Sequence, residues 1–201
     1  MAHRGDPGTD LPTAGSRLRA ETGEAHLRFF DAALDLLDEE GFSALKLSRL
    51  CERIGVTTGA FYHSFPNWSH FTRRLLDFWY QERTAEIGAR AHAETDPARR
   101  LDLLIEEAMG LRHRAENAIR VWAGVDPRVR AVQDRADRDR IEVVAEAFVA
   151  INGDADFSLR LARAAFYLLV GYEQVSAEQD PDALQWALRT IRGLVEGPPS
   201  H

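Results

Sequence analysis

A chain of 201 residues with 45% hydrophobic side chains is long enough to bury one large core or two small ones. Its net charge of -7 excludes a polyanionic partner held by bulk positive charge, and its single cysteine excludes an internal disulfide and argues against structural zinc. No run of about eighteen apolar residues offers a membrane span, and no apolar N-terminal core suggests a signal peptide. A cytoplasmic protein without membrane contact is therefore expected.

Residues 1–22 hold Gly5, Pro7, Gly8, Pro12 and Gly15 among polar side chains and read as a flexible arm. Arg4, Arg17 and Arg19 could follow a nucleic-acid backbone, although a disordered tail is the plainer expectation for most of the arm. Over 23–40, Leu27, Phe30, Leu34 and Leu37 fall at helical steps, with Phe29, Ala33 and Leu36 widening the stripe. Gly41 is a natural stop, and Phe42 is expected to fold back onto the last turn. The acids of that turn oppose the helix dipole.

The stretch LSRLCERIGVTTGAFYHSF, residues 47–65, predicts two short helices joined by a tight turn. Leu47, Leu50, Cys51 and Ile54 carry the first, Gly55 supplies the positive φ that its end needs, and the Thr57 hydroxyl caps the second. Ala60, Phe61 and Phe65 are expected to be buried, with Cys51 a small apolar filler where the helices cross. Thr58 with Tyr62, and Gly59 with His63, then lie on the opposite face. That face suits a DNA major groove: Thr58 and His63 can hydrogen-bond base edges, Tyr62 can reach a phosphate, and Gly59 lets the backbone approach closely. The alternative is a pair of ordinary helices whose polar residues face water. Residues 1–70 carry seven basic and ten acidic side chains, so DNA binding requires that Asp31, Asp35, Asp38, Glu39 and Glu40 point away from the duplex.

The segment FFDAALDLLDEEGFSALKLSRLCERIGVTTGAFYHSF resembles the DNA-binding end of the TetR (tetracycline-repressor) family of bacterial transcription regulators. The features that match are Ala32 and Ala33, Gly41-Phe42, the Leu50, Cys51 and Ile54 helix, Gly55-Val56-Thr57, then Gly59-Ala60-Phe61-Tyr62 and Phe65. The resemblance implies an all-α fold of about nine helices. An N-terminal three-helix helix-turn-helix DNA-binding domain would occupy 23–66, and a connecting helix with a ligand-binding and dimerisation domain 67–196. It further implies a palindromic operator, a homodimer and a small-molecule effector. Three positions depart from the family pattern. Lys46 stands where a Thr usually caps the second helix, leaving that cap to Ser48 or to nothing; Trp68 replaces a Lys, and Thr58 is often basic in relatives. The candidate DNA contacts are Lys46, Ser48, Thr57, Thr58, Gly59, Tyr62 and His63.

Beyond residue 66, Asp96-Pro97, Asp126-Pro127 and Asp180-Pro181 each pair a helix cap with the imino acid favoured in the first turn, marking three helix starts. A connecting helix is predicted over 67–92, with Phe71, Leu75, Phe78 and Trp79 on one side; Trp68, Trp79 and Tyr80 read as core, not as a base-stacking set. The spacing then predicts helices over 97–116, 118–124, 127–151, 157–177 and 181–195, and an unstructured tail at 197–201. Within 127–151, QDRADRDR reads as a solvated face on which Asp134 can pair with Arg138. The last two helices are apolar nearly all round and must be covered on both sides, which predicts a four-helix dimer interface through Leu161, Ala165, Leu168, Tyr172, Leu184, Leu188, Ile191 and Val195.

If an effector binds among the middle helices, as the resemblance implies, its pocket is expected to draw on Leu104, Met109, Arg112, His113, Trp122, Phe148, Phe166 and Tyr167, several of them plain core. The seven histidines form no ligand-spaced cluster, and no metal or cofactor is expected. There is no phosphate loop, nucleophile elbow or deaminase motif, so an all-helical enzyme ranks below two other readings, a DNA-binding regulator and a dimeric helical scaffold that binds no specific DNA.

Overall fold

The computed structural model describes residues 23–175 and 179–196. The predicted arm at 1–22, the tail at 197–201 and the end of the helix predicted over 157–177 lie outside them. Helix α1 is Glu24–Glu40, followed by a 3-10 turn Phe42–Ala44; α2 is Leu47–Ile54 and α3 is Thr58–Ser64. One continuous rod, α4, comprises Trp68–Tyr80, a π-helical turn Gln81–Ala85, and Glu86–Ala93. Then come α5 Pro97–Met109, α6 His113–Ala123, α7 Pro127–Asn152, α8 Ala155–Gln174 and α9 Pro181–Gly193, closed by a 3-10 turn Leu194–Glu196. The described residues are thus all-α, with nine helices and no strand.

Local chemistry explains most boundaries. The carboxylates of Asp96, Asp126, Asp154 and Asp180 each accept a backbone N–H of the turn they open, and three of them precede a proline in the first turn. Such a cap stabilises a helix by about 1 kcal/mol.

Three expectations need correction. The helix predicted over 97–116 ends at Met109, and α6 begins at His113, because the Asp38 carboxylate of α1 accepts the Ala115 N–H at 3.2 Å and caps α6 from a distant part of the chain. Phe42 also stacks on Trp122 of α6, with ring centroids 5.3 Å apart. Ala60 is exposed. The run QDRADRDR is solvated on one side only: Gln133 and Ala136 are buried, Asp137 takes a two-pronged hydrogen bond from Arg120 at 2.8 and 3.1 Å, and Arg140 pairs with Glu116 at 2.9 Å.

A single apolar core runs from the N-terminal helices into the rest of the molecule. Phe29, Phe30, Leu34 and Leu37 of α1 share it with Phe61, Phe65, Phe71, Phe78 and Trp79, and with Ile119, Trp122 and Val129 of α6 and α7. Two smaller clusters lie beyond, one around Leu101, Phe148 and Leu161, the other around Leu169, Leu184 and Leu188. Trp79 and Tyr80 are buried in the first core, and Trp68 packs against it.

Candidate nucleic-acid interface and internal cavity

Helix α3 is seven residues long, too short to persist alone. Gly55 leaves α2 in the left-handed region at φ 74°; its N–H bonds Glu52 O at 3.1 Å and the Val56 N–H bonds Cys51 O at 2.9 Å, the paired bonds of a Schellman end. Thr57 then accepts the Ala60 N–H on its hydroxyl at 3.3 Å. Below, Phe61 meets Phe29 and Phe71 edge-on at 5.6 and 5.4 Å, and Phe65 meets Phe71 at 5.0 Å. His26 Nε2 donates to the Ser64 carbonyl at 3.2 Å, tying the far end of α3 to α1.

With Phe61 and Phe65 locked inside, the opposite face is turned out. Thr58, Gly59 and His63 are exposed, and Tyr62 is 53% exposed. Lys46, Ser48 and Thr57 are exposed as well. No side chain caps α2, so the missing Thr at Lys46 is not made good by Ser48. Gly59 is not required by the fold. Its φ is not positive, and a Cβ there would meet only the Thr57 hydroxyl at 3.6 Å, an ordinary contact.

The acids of α1 are spent on partners. Glu40 pairs with Arg49 at 2.7 Å and Glu39 with Arg53 at 2.5 Å, joining the end of α1 to α2; Asp35 pairs with Arg112, and Asp38 caps α6. The Arg53 hydrogen bond holds the Glu39 carboxyl below its usual range. These contacts neutralise the acids but also occupy two arginines of α2. Cys51 is buried, which pushes its thiol up and leaves it little thiolate.

A cavity of about 110 Å³ lies among α4, α5, α7, α8 and α9. Of the residues expected around a ligand, Leu104, Phe148 and Phe166 line it. The others are employed elsewhere. Met109 packs on the third cluster, Arg112 turns to Asp35, Trp122 stacks on Phe42, and Tyr167 is 65% exposed. His113 faces Tyr172 edge-on at 4.9 Å.

Pattern reasoning missed the polar end of this cavity. Arg140 of α7 donates from Nε to Thr84 Oγ1 at 3.1 Å and from a terminal nitrogen to the Arg83 carbonyl at 3.2 Å, both inside the π-helical turn of α4. Its remaining nitrogen bonds Glu116, whose other oxygen accepts Trp79 Nε1 at 2.8 Å. Arg140 was hidden in a run that looked wholly solvated.

Nearby, the Glu173 carboxylate is buried with neither oxygen hydrogen-bonded, and His113 Nδ1 stands 3.6 Å away. Burial raises the Glu173 carboxyl above its usual range; Glu116 adds to this, while His113, Arg140 and Arg120 oppose it.

Several residues expected at a dimer interface are already covered by their own chain. Leu161, Leu184, Leu188 and Val195 are buried within the protomer, and Ala165, Leu168, Tyr172 and Ile191 pack partly buried on the same clusters. The outward apolar side chains of this end are Tyr167, Val175, Trp186 and Leu194, 65, 51, 70 and 50% exposed. Which neighbour shields a stripe is a tertiary fact that hydropathy does not carry. Among the described residues no His, Cys, Asp and Glu group is placed to hold a metal, and no helix is long and apolar enough to cross a membrane.

Residues 29–68 match the model of a family described as bacterial regulatory proteins, tetR family. No curated protein matches the sequence significantly. Among solved structures, the chain is similar to a TetR-family transcriptional regulator from Streptomyces coelicolor at 16% identity and a TM-score of 0.73, covering 92% of this chain and 96% of that one. It is also similar to a transcriptional regulator from Rhodococcus sp. Rha1 at 19% identity and a TM-score of 0.70, covering 87% and 99%. A protein from Saccharomonospora viridis, solved in complex with choline, matches at 14% identity and a TM-score of 0.70 over 85% and 96% of the two chains. At such identities the likeness is one of fold.

Proposed function

We propose that the chain, whose residues 29–68 match the tetR family of bacterial regulatory proteins, is a homodimeric DNA-binding transcriptional regulator, a cytoplasmic repressor released from a palindromic operator by a small molecule. The observation that carries this reading is the two-faced α3, clamped by Phe61 and Phe65 beneath while Thr58, Gly59, Tyr62 and His63 face outward. Lys46, Ser48 and Thr57 flank that face and would hold phosphates.

One short helix reads too few bases to select a site, so a second copy is needed. On α8 and just past its end, Ala164, Tyr167, Gly171 and Val175 recur at helical steps and are exposed; Ala183 and Trp186 of α9 and Leu194 of the turn after it are exposed likewise. Small residues beside aromatic ones let two such faces approach closely, and they replace the buried leucines as the proposed dimer contacts.

The internal cavity is the proposed effector site; a protein of similar fold holds choline. Arg140 lines the cavity and grips the π-helical turn of α4, the rod that carries α3 at its other end. A ligand that shifts Arg140 would move α4 and change the spacing of the two reading helices.

Replacing both Tyr62 and His63 with Ala is expected to abolish retention of operator DNA while the dimer and its helix content stay intact, by gel shift and circular dichroism. Unchanged affinity would remove the site assignment. The pairing of Arg49 and Arg53 with Glu40 and Glu39 favours one second reading, a dimeric helical scaffold without specific DNA binding. Such a scaffold would retain no sequence in preference to another at any salt concentration, whereas a regulator loses affinity steeply as salt rises.

A further inference from the structure

We propose that the cavity among α4, α5, α7, α8 and α9 takes an uncharged, compact, hydrocarbon-like ligand of monocyclic aromatic size, and rejects both carboxylates and organic cations. The proposal rests on the effector reading above and names the chemical class that its site accepts.

The walls supply the first argument. Leu101, Leu104, Ile105, Val144 and Phe148 give a continuous aliphatic and aromatic surface. An apolar cavity binds apolar guests; a dry one of about 150 Å³ in another protein accommodates benzene. At about 110 Å³ this cavity is near that size, so a single ring is admitted with a small adjustment of its walls.

The charges supply the second. Four ionisable side chains border the cavity, and each meets an opposite charge supplied by the protein. Arg140 meets Glu116 at 2.9 Å, Arg192 meets Asp102 at 2.9 Å, Glu107 meets Arg90 at 2.6 Å and Arg83 meets Glu82 at 3.6 Å. All three guanidinium nitrogens of Arg140 are already hydrogen-bonded. A carboxylate entering here would give up its water for cations whose charge is already balanced by protein carboxylates.

The rings supply the third. A quaternary ammonium group is held by the faces of several aromatic rings. Here the bordering rings are Phe148 and Phe166, and the guanidinium of Arg120 already lies 5.9 Å from the centroid of Phe166. With one face of Phe166 already taken, two rings offer too few free faces to cage a cation. The cavity therefore differs in chemistry from a choline site, although a choline-bound protein shares the fold.

Thermal unfolding of the full-length protein with benzene, toluene, benzoate or choline tests this directly. Benzene and toluene, at about a hundred times their Kd, are expected to raise Tm by roughly 5–10 °C, while benzoate and choline leave it unchanged. In Ala165→Leu, which pushes a larger side chain into the cavity, the aromatic shift should fall to less than half. A larger shift with benzoate or choline than with benzene, no shift with either hydrocarbon, or an undiminished shift in the filled variant would overturn the proposal. The wild-type comparison decides even if the variant fails to fold. Operator retention, measured separately, keeps the two readings apart. Hydrocarbon binding without operator release would sink the effector reading and leave the ligand class standing, whereas release by a charged compound that raises Tm would do the reverse.

Discussion

Gly59 is the residue at which fold and function part company most clearly. A glycine inside a helix costs about 0.5–1 kcal/mol relative to alanine, yet nothing in the protein occupies the space that a Cβ would take. Gly59→Ala is therefore expected to leave stability unchanged or raise it by up to about 1 kcal/mol, while lowering operator affinity at least tenfold because the methyl group meets the DNA. Chemical denaturation and gel shift would separate the two effects, and a stable variant with full affinity would place the groove contact elsewhere. Glu173 makes the complementary case of a residue that strains the fold. Its carboxyl is raised by burial, so its protonated form is the one the folded state prefers, and folding loses stability as pH rises through the raised value. Glu173→Gln keeps the shape and removes the ionisation. Its Tm should exceed wild type at pH 8 and converge on it near pH 4; an unchanged pH profile would contradict the assignment. Thr57, Gly55 and the outward pair Tyr62 and His63 were legible from the residues themselves, because a cap, a left-handed glycine and a helical face are local properties. The role of Arg140 was not legible, since its partners come from α4 and α6.

At the scale of elements the same division holds. The starts of α5, α7 and α9 follow from Asp-Pro pairs that carry both the cap and the first-turn proline. The start of α6 depends on a carboxylate 77 residues away in α1, and apolar spacing alone sets the break between α5 and α6 at residue 117, several residues too late. The π-helical turn of α4 is likewise a tertiary product, with Thr84 buried beneath the Arg140 guanidinium. Thr84→Val keeps the volume and deletes one acceptor. The account predicts operator affinity within about threefold of wild type in the absence of ligand and an unaltered ligand-induced Tm shift. The ligand concentration needed for half-release should nevertheless be at least fivefold higher. Normal release from Thr84→Val would mean that the signal leaves the cavity by another route.

At the scale of the whole molecule, pairing of the α1 acids with Arg49, Arg53 and Arg112 neutralises them locally, at the cost of occupying two arginines of α2. The Asp35–Arg112 pair and the Asp38 cap join the N-terminal helices to α6, and α3 shares their continuous core through Phe61, with the exposed Tyr167 and Trp186 on helices α8 and α9. The proposed regulator acts as a pair, because two copies of α3 give the length of contact that selects a site. Selection of binding sites from a random pool of duplex DNA measures this most directly. Wild type is predicted to enrich two inverted half-sites, and Trp186→Glu, as a monomer, to enrich neither. A folded wild-type dimer that enriches no sequence, or one that enriches a single unpaired motif, would contradict the account.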